Sequence, residues 1–172
     1  MTEAPTYRER LQTEGLMLAV CGWIACVAVF AFTDVADEPR SITIVELLIV
    51  AGLVATLGPL ALRRARRRAI ELDADEVGSG EPTPLWHIAV IVAFLVVLAG
   101  VTLGPLGALN AAGGCVVIGF GQAILLATLV GMDERGQGRR FYRVRGSRIL
   151  RGTRLGWRPA EESPGADELR PG

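Results

Sequence analysis

Apolar residues in this chain are gathered into four long blocks separated by short polar segments. The blocks cover residues 15–32, 42–62, 85–103 and 106–132. A helix rises about 1.5 Å per residue, so each block is long enough to cross the roughly 30 Å hydrocarbon layer of a membrane. Backbone groups in lipid must bond internally, and the alternating pattern of a membrane barrel is absent. The pattern therefore predicts an all-α membrane protein, a four-transmembrane-helix bundle.

The polar segments outside the blocks define the remaining organisation of the chain. Residues 1–14 form an N-terminal tail, residues 15–132 the transmembrane domain and residues 133–172 an arginine-rich C-terminal tail. The last part of that tail combines acids with proline and glycine, a composition typical of disorder. Hydrophobic residues make up 51% of the chain. Their concentration in blocks excludes an unanchored cytosolic enzyme and a largely disordered chain.

The arginines indicate how the bundle is oriented. The chain has 18 basic residues, all arginine, and 18 acidic residues, so its formal net charge is zero. Seventeen of the arginines lie in the two tails and in segment 63–84, which four crossings place on one side. The positive-inside rule makes that side the cytoplasm. We predict a cytoplasmic membrane protein with both termini cytoplasmic. Exclusive use of arginine over lysine is typical of GC-rich genomes and favours a prokaryotic source.

Small residues recur four positions apart within every block. Such pairs let two helix backbones approach closely, and van der Waals contact then holds the helices together. The pairs are Gly22 with Cys26, Ala51 with Ala55, Ala89 with Ala93, Gly100 with Gly104, and Ala108 with Ala112. They are consistent either with packing inside one bundle or with the interface of a homo-oligomer. The turn between the last two blocks is so short that these blocks must form an antiparallel pair.

Three polar side chains lie within the predicted spans and are candidates for function, because polar groups in a membrane are costly to bury. Glu46 is roughly 6 Å from the outer end of the second block. It suits a structural role at the interface, or a proton or cation site. Asn110 lies near the outer end of the last block and can cap or bridge helices. Gln122 is near the middle of that block and suits an interhelical hydrogen bond or a solute path.

Catalytic and cofactor-binding patterns are absent from the sequence. The single histidine cannot provide paired axial ligands for a membrane haem, and the three cysteines form no C-x-x-C pair. No zinc motif, phosphate-binding loop, nucleophile elbow or dinucleotide fingerprint occurs. We therefore expect a protein that is not an enzyme and carries no cofactor or metal.

The C-terminal tail is the most distinctive polar segment. Residues 133–158 hold nine arginines and two acids, and the sequence of residues 144–150 is echoed by residues 150–156. The Gly-Ser and Gly-Thr pairs in this repeat suit hairpin turns, which allows a small β-meander. The tail is either a solvated topogenic segment, a membrane-surface element that binds anionic headgroups, or a contact for an acidic partner. Nucleic acid is the least expected partner. The candidate contact residues are Arg140, Arg143, Arg145, Arg148, Arg151, Arg154 and Trp157.

Two functions fit these observations. The first is a non-enzymatic accessory, assembly or scaffold component of the membrane, with basic cytoplasmic contacts to anionic lipid or to a membrane-protein partner. The second is a small oligomeric transporter or channel whose polar path includes Glu46, Asn110 or Gln122.

A cluster of five arginines within residues 63–68 follows the second block. We interpret it as a stop-transfer anchor whose charge is neutralised by the acids that come after it.

Overall fold

The computed structural model describes residues 5–33, 40–72, 86–144 and 154–160. The helical elements are α1 (Tyr7–Phe32), α2 (Arg40–Arg67), α3 (Trp86–Phe120), a π-helix (Gly121–Leu126) and α4 (Ala127–Gln137). The strands are β1 (Ile70–Glu71), β2 (Arg139–Val144) and β3 (Arg154–Pro159). In the described part of the chain, three helical runs are long and apolar enough to cross a membrane: Tyr7–Phe32, Ile44–Arg67 and Trp86–Gln137.

Helix α1 begins before the first apolar block because its first turn is capped. Thr6 Oγ1 accepts a hydrogen bond from the Glu9 N–H at 3.3 Å, and the Glu9 carboxylate accepts one from the Thr6 N–H at 2.8 Å. This capping box satisfies two backbone donors that a helix start otherwise leaves open. The polar residues of the N-terminal tail are therefore part of the same helix as the first apolar block.

Helix α3 is sharply bent at Gly104, whose backbone angles (φ 77, ψ −171) are not helical. A Cβ built on Gly107 would lie 2.8 Å from the Ala99 carbonyl oxygen, and one on Gly100 would lie 3.4 Å from the Ala108 Cβ. Residues eight positions apart in a straight helix are separated by about 12 Å. The chain therefore folds back on itself at Gly104. We call residues 86–103 the first limb of α3 and residues 105–120 its second limb.

The second limb lies between α1 and α2. Gly15 of α1 contacts Gly119, and Gly22 contacts Ala112, so α1 runs antiparallel to the second limb.

Helix α2 runs in the opposite sense to α1. Its Leu47 contacts Gly113, and its Gly58 lies against Leu126. Residue numbers thus increase in the same direction along both segments. Helix α2 is therefore parallel to the second limb and its continuation. In consequence, the start of α1, the end of α2 and α4 all lie at the same end of the bundle.

A three-stranded sheet with the order β1-β3-β2 lies at that end. Strand β2 pairs antiparallel with β3, with Phe141 opposite Trp157. Strand β1 pairs parallel with β3, with Ile70 opposite Gly156. This differs from the predicted meander of residues 144–156, because the third strand comes from the segment after α2. Residues 145–153, which hold most of the sequence repeat, lie outside the described residues.

The sheet packs on the helix ends through one buried apolar cluster. Its members are Leu11, Leu62, Ala127, Val130, Phe141 and Leu155. They come from α1, α2, α4, β2 and β3, so the cluster joins all three helical runs to the sheet. We call the three strands and these helix ends the cap. Elsewhere the bundle surface is strongly apolar, as the exposed fractions of Phe94 (64%) and Val101 (82%) illustrate, which suits contact with lipid.

Candidate functional site

Small residues form a tight seam between α1 and the second limb of α3. A Cβ on Gly15 would lie 2.6 Å from the Gly119 carbonyl oxygen, and one on Gly22 would lie 2.8 Å from the Ala112 carbonyl oxygen. These separations leave no room for a larger side chain or for water. Two of the residues predicted from spacing, Gly22 and Ala112, belong to the seam. Sequence reasoning missed Gly15, although it lies four residues before Ala19, another buried seam residue.

Two of the three predicted intramembrane polar residues meet at the opposite end from the cap. The Asn110 Nδ2 group donates a hydrogen bond to Glu46 Oε2, which bridges α2 and the second limb. Glu46 is exposed and Asn110 is half-buried. Among the described residues, no group donates a hydrogen bond to the buried Asn110 Oδ1. The side chain of Arg40, the arginine nearest to Glu46 in sequence, lies outside the described residues.

Gln122, the third predicted residue, does not join this pair. It lies in the π-helix Gly121–Leu126, and its Cβ is 3.0 Å from the position that a Cβ on Gly15 would occupy. Twelve residues separate it from Asn110, which corresponds to roughly 18 Å along a helix axis. The structure therefore assembles the Glu46–Asn110 pair but places Gln122 on the α1 seam.

A groove between α1 and the second limb is lined by apolar side chains. Its volume is about 360 Å³, and its lining residues are Leu16, Ala19, Val20, Trp23, Val116 and Phe120. Neither Glu46, Asn110 nor Gln122 is among them. The groove is therefore chemically suited to hydrocarbon and not to a polar solute.

The cap is held together by charged groups as well as by its apolar cluster. Arg66 at the end of α2 forms an ion pair with Asp133 of α4. Arg143 of β2 forms a second ion pair with Glu14 of α1, at 3.2 Å between Nη1 and Oε1. Each pair connects two segments that are distant in sequence. Arg143, a predicted contact residue, is thus paired with an acid of the same chain.

Glu134 connects α4 to the sheet from within the cap. Its carboxylate accepts a hydrogen bond from the Phe141 N–H at 3.1 Å. Burial raises the pKa of Glu134, although the Phe141 hydrogen bond and the nearby charges of Arg8 and Arg140 lower it in part. Glu134 lies past the last apolar block, which ends at residue 132. Its carboxyl group is therefore a titratable contact between two elements of the cap.

The other predicted contact residues are placed as follows. Trp157, a predicted contact residue, makes a cation–π contact with Arg139. The guanidinium carbon of Arg139 lies 3.9 Å from the centre of the Trp157 ring and covers one face of it. Arg140 is half-buried and takes part in an interaction of its own. Arg154 belongs to β3, but its side chain is not described. Arg145, Arg148 and Arg151 lie outside the described residues.

The most exposed arginines of the cap belong mainly to a segment that sequence reasoning treated as neutralised. Four of them follow Leu62 at the end of α2, and we call them the arginine row. The row consists of Arg63, Arg64, Arg67 and Arg68. Arg66, between them, faces inward to Asp133. The helical phase set by buried Leu62 is the sequence signal that separates Arg66 from the row, since residues four apart share a helix face.

Within the described residues, no cluster of histidine, cysteine, aspartate and glutamate has the arrangement of a metal site.

Compared with known proteins, the chain matches no family model, no curated protein and no solved structure.

Proposed function

We propose that this chain is a non-enzymatic integral membrane protein, an accessory, assembly or scaffold component that makes its contacts through the cap. The observation that carries the proposal is the construction of the cap. The ends of the three helical runs and the sheet share one buried cluster, two ion pairs link these elements, and the arginine row is exposed on the outside. The cap therefore presents exposed arginines at the end of an apolar bundle.

Four membrane crossings are part of this proposal. The run Trp86–Gln137 contains 52 residues and would be about 78 Å long as a straight helix, more than twice the hydrocarbon thickness of a membrane. The reversal at Gly104 supports two crossings within it. The antiparallel course of α1 and the parallel course of α2 agree with an up-down-up-down bundle. The cap is then on the cytoplasmic side, where the positive-inside rule places its arginines.

A pair of glycine variants tests the cap as a contact surface. A Cβ at Gly156 overlaps the side chain of buried Leu72, so Gly156→Ala is expected to separate β1 from β3. A Cβ at Gly136 meets nothing within 4 Å, so Gly136→Ala is the matched control in the same region. Affinity purification in mild detergent from the native membrane, followed by mass spectrometry, compares what each variant retains.

The expected result is a protein partner recovered in constant ratio with the wild type and with Gly136→Ala, and lost with Gly156→Ala. Absence of any such partner from the wild type, or equal recovery with Gly156→Ala after its sheet is shown to be disrupted, would contradict the proposal.

A small transporter or channel is the second candidate, and one observation favours it. The Glu46–Asn110 pair holds a carboxylate and a buried amide oxygen next to each other within an apolar bundle. Polar oxygens of this kind can bind a proton or a cation. Against it, the described groove is apolar and Gln122 is remote from the pair. Transport predicts that Glu46→Gln abolishes flux in proteoliposomes, whereas the accessory role predicts no effect on partner recovery.

A further inference from the structure

We infer that the arginine row binds the anionic headgroups of phospholipids in the leaflet on the cap side of the membrane. The inference rests on the orientation and the cap described under the proposed function, and it specifies one class of ligand for the outer surface of that cap.

The depth of the row is the first argument. The apolar stretch of α2 ends at Leu62, which is buried under the sheet. At about 1.5 Å per residue, positions 63 to 68 lie within roughly 9 Å of that end along the chain. The polar headgroup layer on each side of a bilayer is roughly 5–8 Å thick, since the full bilayer is about 40–45 Å and its hydrocarbon core about 30 Å. The row is thus at headgroup depth.

The second argument concerns four of the described acids of the cap, each of which has a partner there. Glu9 caps the start of α1, and Glu14 is paired with Arg143. Asp133 is paired with Arg66, and Glu134 accepts the Phe141 N–H. Their principal partners are thus elsewhere in the cap.

The four arginines of the row differ from Arg66 and Arg143 in this respect. Within the described part of the chain, none of its four arginines forms an ion pair. The described ion pairs of the cap therefore do not use the charge of the row.

The chemistry of arginine identifies that ligand. A guanidinium group presents a planar fork of donors that matches phosphate oxygens, and it is less strongly hydrated than an ammonium. A juxtamembrane arginine near an anionic leaflet gains roughly a fivefold factor in binding. An acidic protein could also neutralise these charges. Phospholipid is favoured because the four side chains are at the depth where lipid phosphates are always present.

The test uses the full-length protein in mixed micelles that contain phosphatidylglycerol and phosphatidylcholine. Native mass spectrometry counts how many molecules of each lipid the protein retains. The variant R63Q/R64Q/R67Q/R68Q removes the charges, and R63K/R64K/R67K/R68K is the matched control that keeps them. Thermal unfolding in phosphatidylcholine alone checks that all three proteins are equally folded.

The wild type is expected to retain phosphatidylglycerol in preference to phosphatidylcholine. The Gln variant should bind phosphatidylglycerol at least tenfold more weakly with phosphatidylcholine unchanged, and the Lys variant should keep most of the preference. Equal phosphatidylglycerol retention by the wild type and a folded Gln variant would overturn the inference. If the Gln variant instead loses only a protein partner, the row is a protein-docking surface. That outcome overturns the lipid assignment while leaving the proposed function intact.

Discussion

Gly15 of α1 and Gly119 of α3 touch through their backbones, with a Cβ position on Gly15 only 2.6 Å from the Gly119 carbonyl oxygen. Within lipid the hydrophobic effect does not drive helices together, so close backbone packing carries much of the association. The contact is reciprocal, because a Cβ on Gly119 would lie 2.5 Å from the Gly15 carbonyl oxygen. The two glycines therefore determine how closely α1 approaches the second limb.

The seam predicts a stability difference between two glycine substitutions. Gly119→Ala places a methyl group against backbone atoms that cannot rotate away, and we expect it to lower the free energy of unfolding by about 1–3 kcal/mol. Gly52→Ala on α2 is the control, because a Cβ there meets nothing within 4 Å. Unfolding by sodium dodecyl sulfate in mixed micelles measures both variants. Equal stability of the two would contradict the described seam.

The reversal at Gly104 predicts which positions face each side of the membrane. In a cysteine-free background, Leu103→Cys should react with a membrane-impermeant maleimide added to intact cells. Gln137→Cys, at the end of α4, should react only after the membrane is permeabilised. Labelling of both positions from the same side, or protection of position 103 within the bilayer, would exclude four crossings.

The Glu46–Asn110 hydrogen bond predicts a coupling between two substitutions. Glu46→Ala and Asn110→Ala should each destabilise the protein, and a double-mutant cycle should give a coupling of about 0.6 kcal/mol, at most ~1.7 kcal/mol. Glu46→Gln keeps an oxygen acceptor for the Asn110 amide and should cost less than Glu46→Ala. Additive effects of the two alanine substitutions would show that the side chains do not interact.

Glu134 predicts a pH dependence of stability. Burial raises its pKa in the folded protein above the usual value of 4.5, so the folded state holds the proton more tightly than the unfolded state. The stabilising effect of this proton is complete below the unfolded pKa and is lost as the pH rises through the folded pKa.

Glu134→Gln removes this titration while keeping an acceptor for the Phe141 N–H. The difference in unfolding free energy between Glu134→Gln and the wild type should therefore move in favour of the variant as the pH rises through that range. Denaturation at a series of pH values measures the difference. A difference that stays constant with pH would contradict the raised pKa.

The apolar helices were predictable because their signal is local. The apolar blocks correspond to the described helical runs, and the bend at Gly104 lies where the short turn was expected. The sheet was harder to predict. Strand β1 has only two residues, and its partner β3 lies more than eighty residues further along the chain, so no local pattern in Ile70–Glu71 identifies the pairing. The pairing depends on Leu72 filling the space above Gly156.

The candidate site was predictable only in part, for a related reason. Residue type and depth identified Glu46 and Asn110, but their hydrogen bond depends on the rotation of α2 about its axis. In the arginine cluster, composition alone does not distinguish Arg66 from its neighbours. Its inward position follows from the phase set by Leu62, and its partner Asp133 is 67 residues away. Of the acids that follow the cluster and were predicted to neutralise it, Asp73, Asp75 and Glu76 lie outside the described residues, and the described ion pair of Arg66 uses a more distant acid.

The parallel pairing of β1 with β3 has a consequence for how the protein is made. The ribosome releases Ile70–Glu71 before α3, the π-helix, α4 and β2 exist, and β3 emerges only after all of them. Until then Leu11, Leu62 and Leu72 have no sheet to cover them. A nascent or truncated chain that ends before residue 154 thus displays apolar side chains at the membrane surface, the kind of feature that chaperones and proteases recognise. Closure of the sheet therefore requires that synthesis has passed β3.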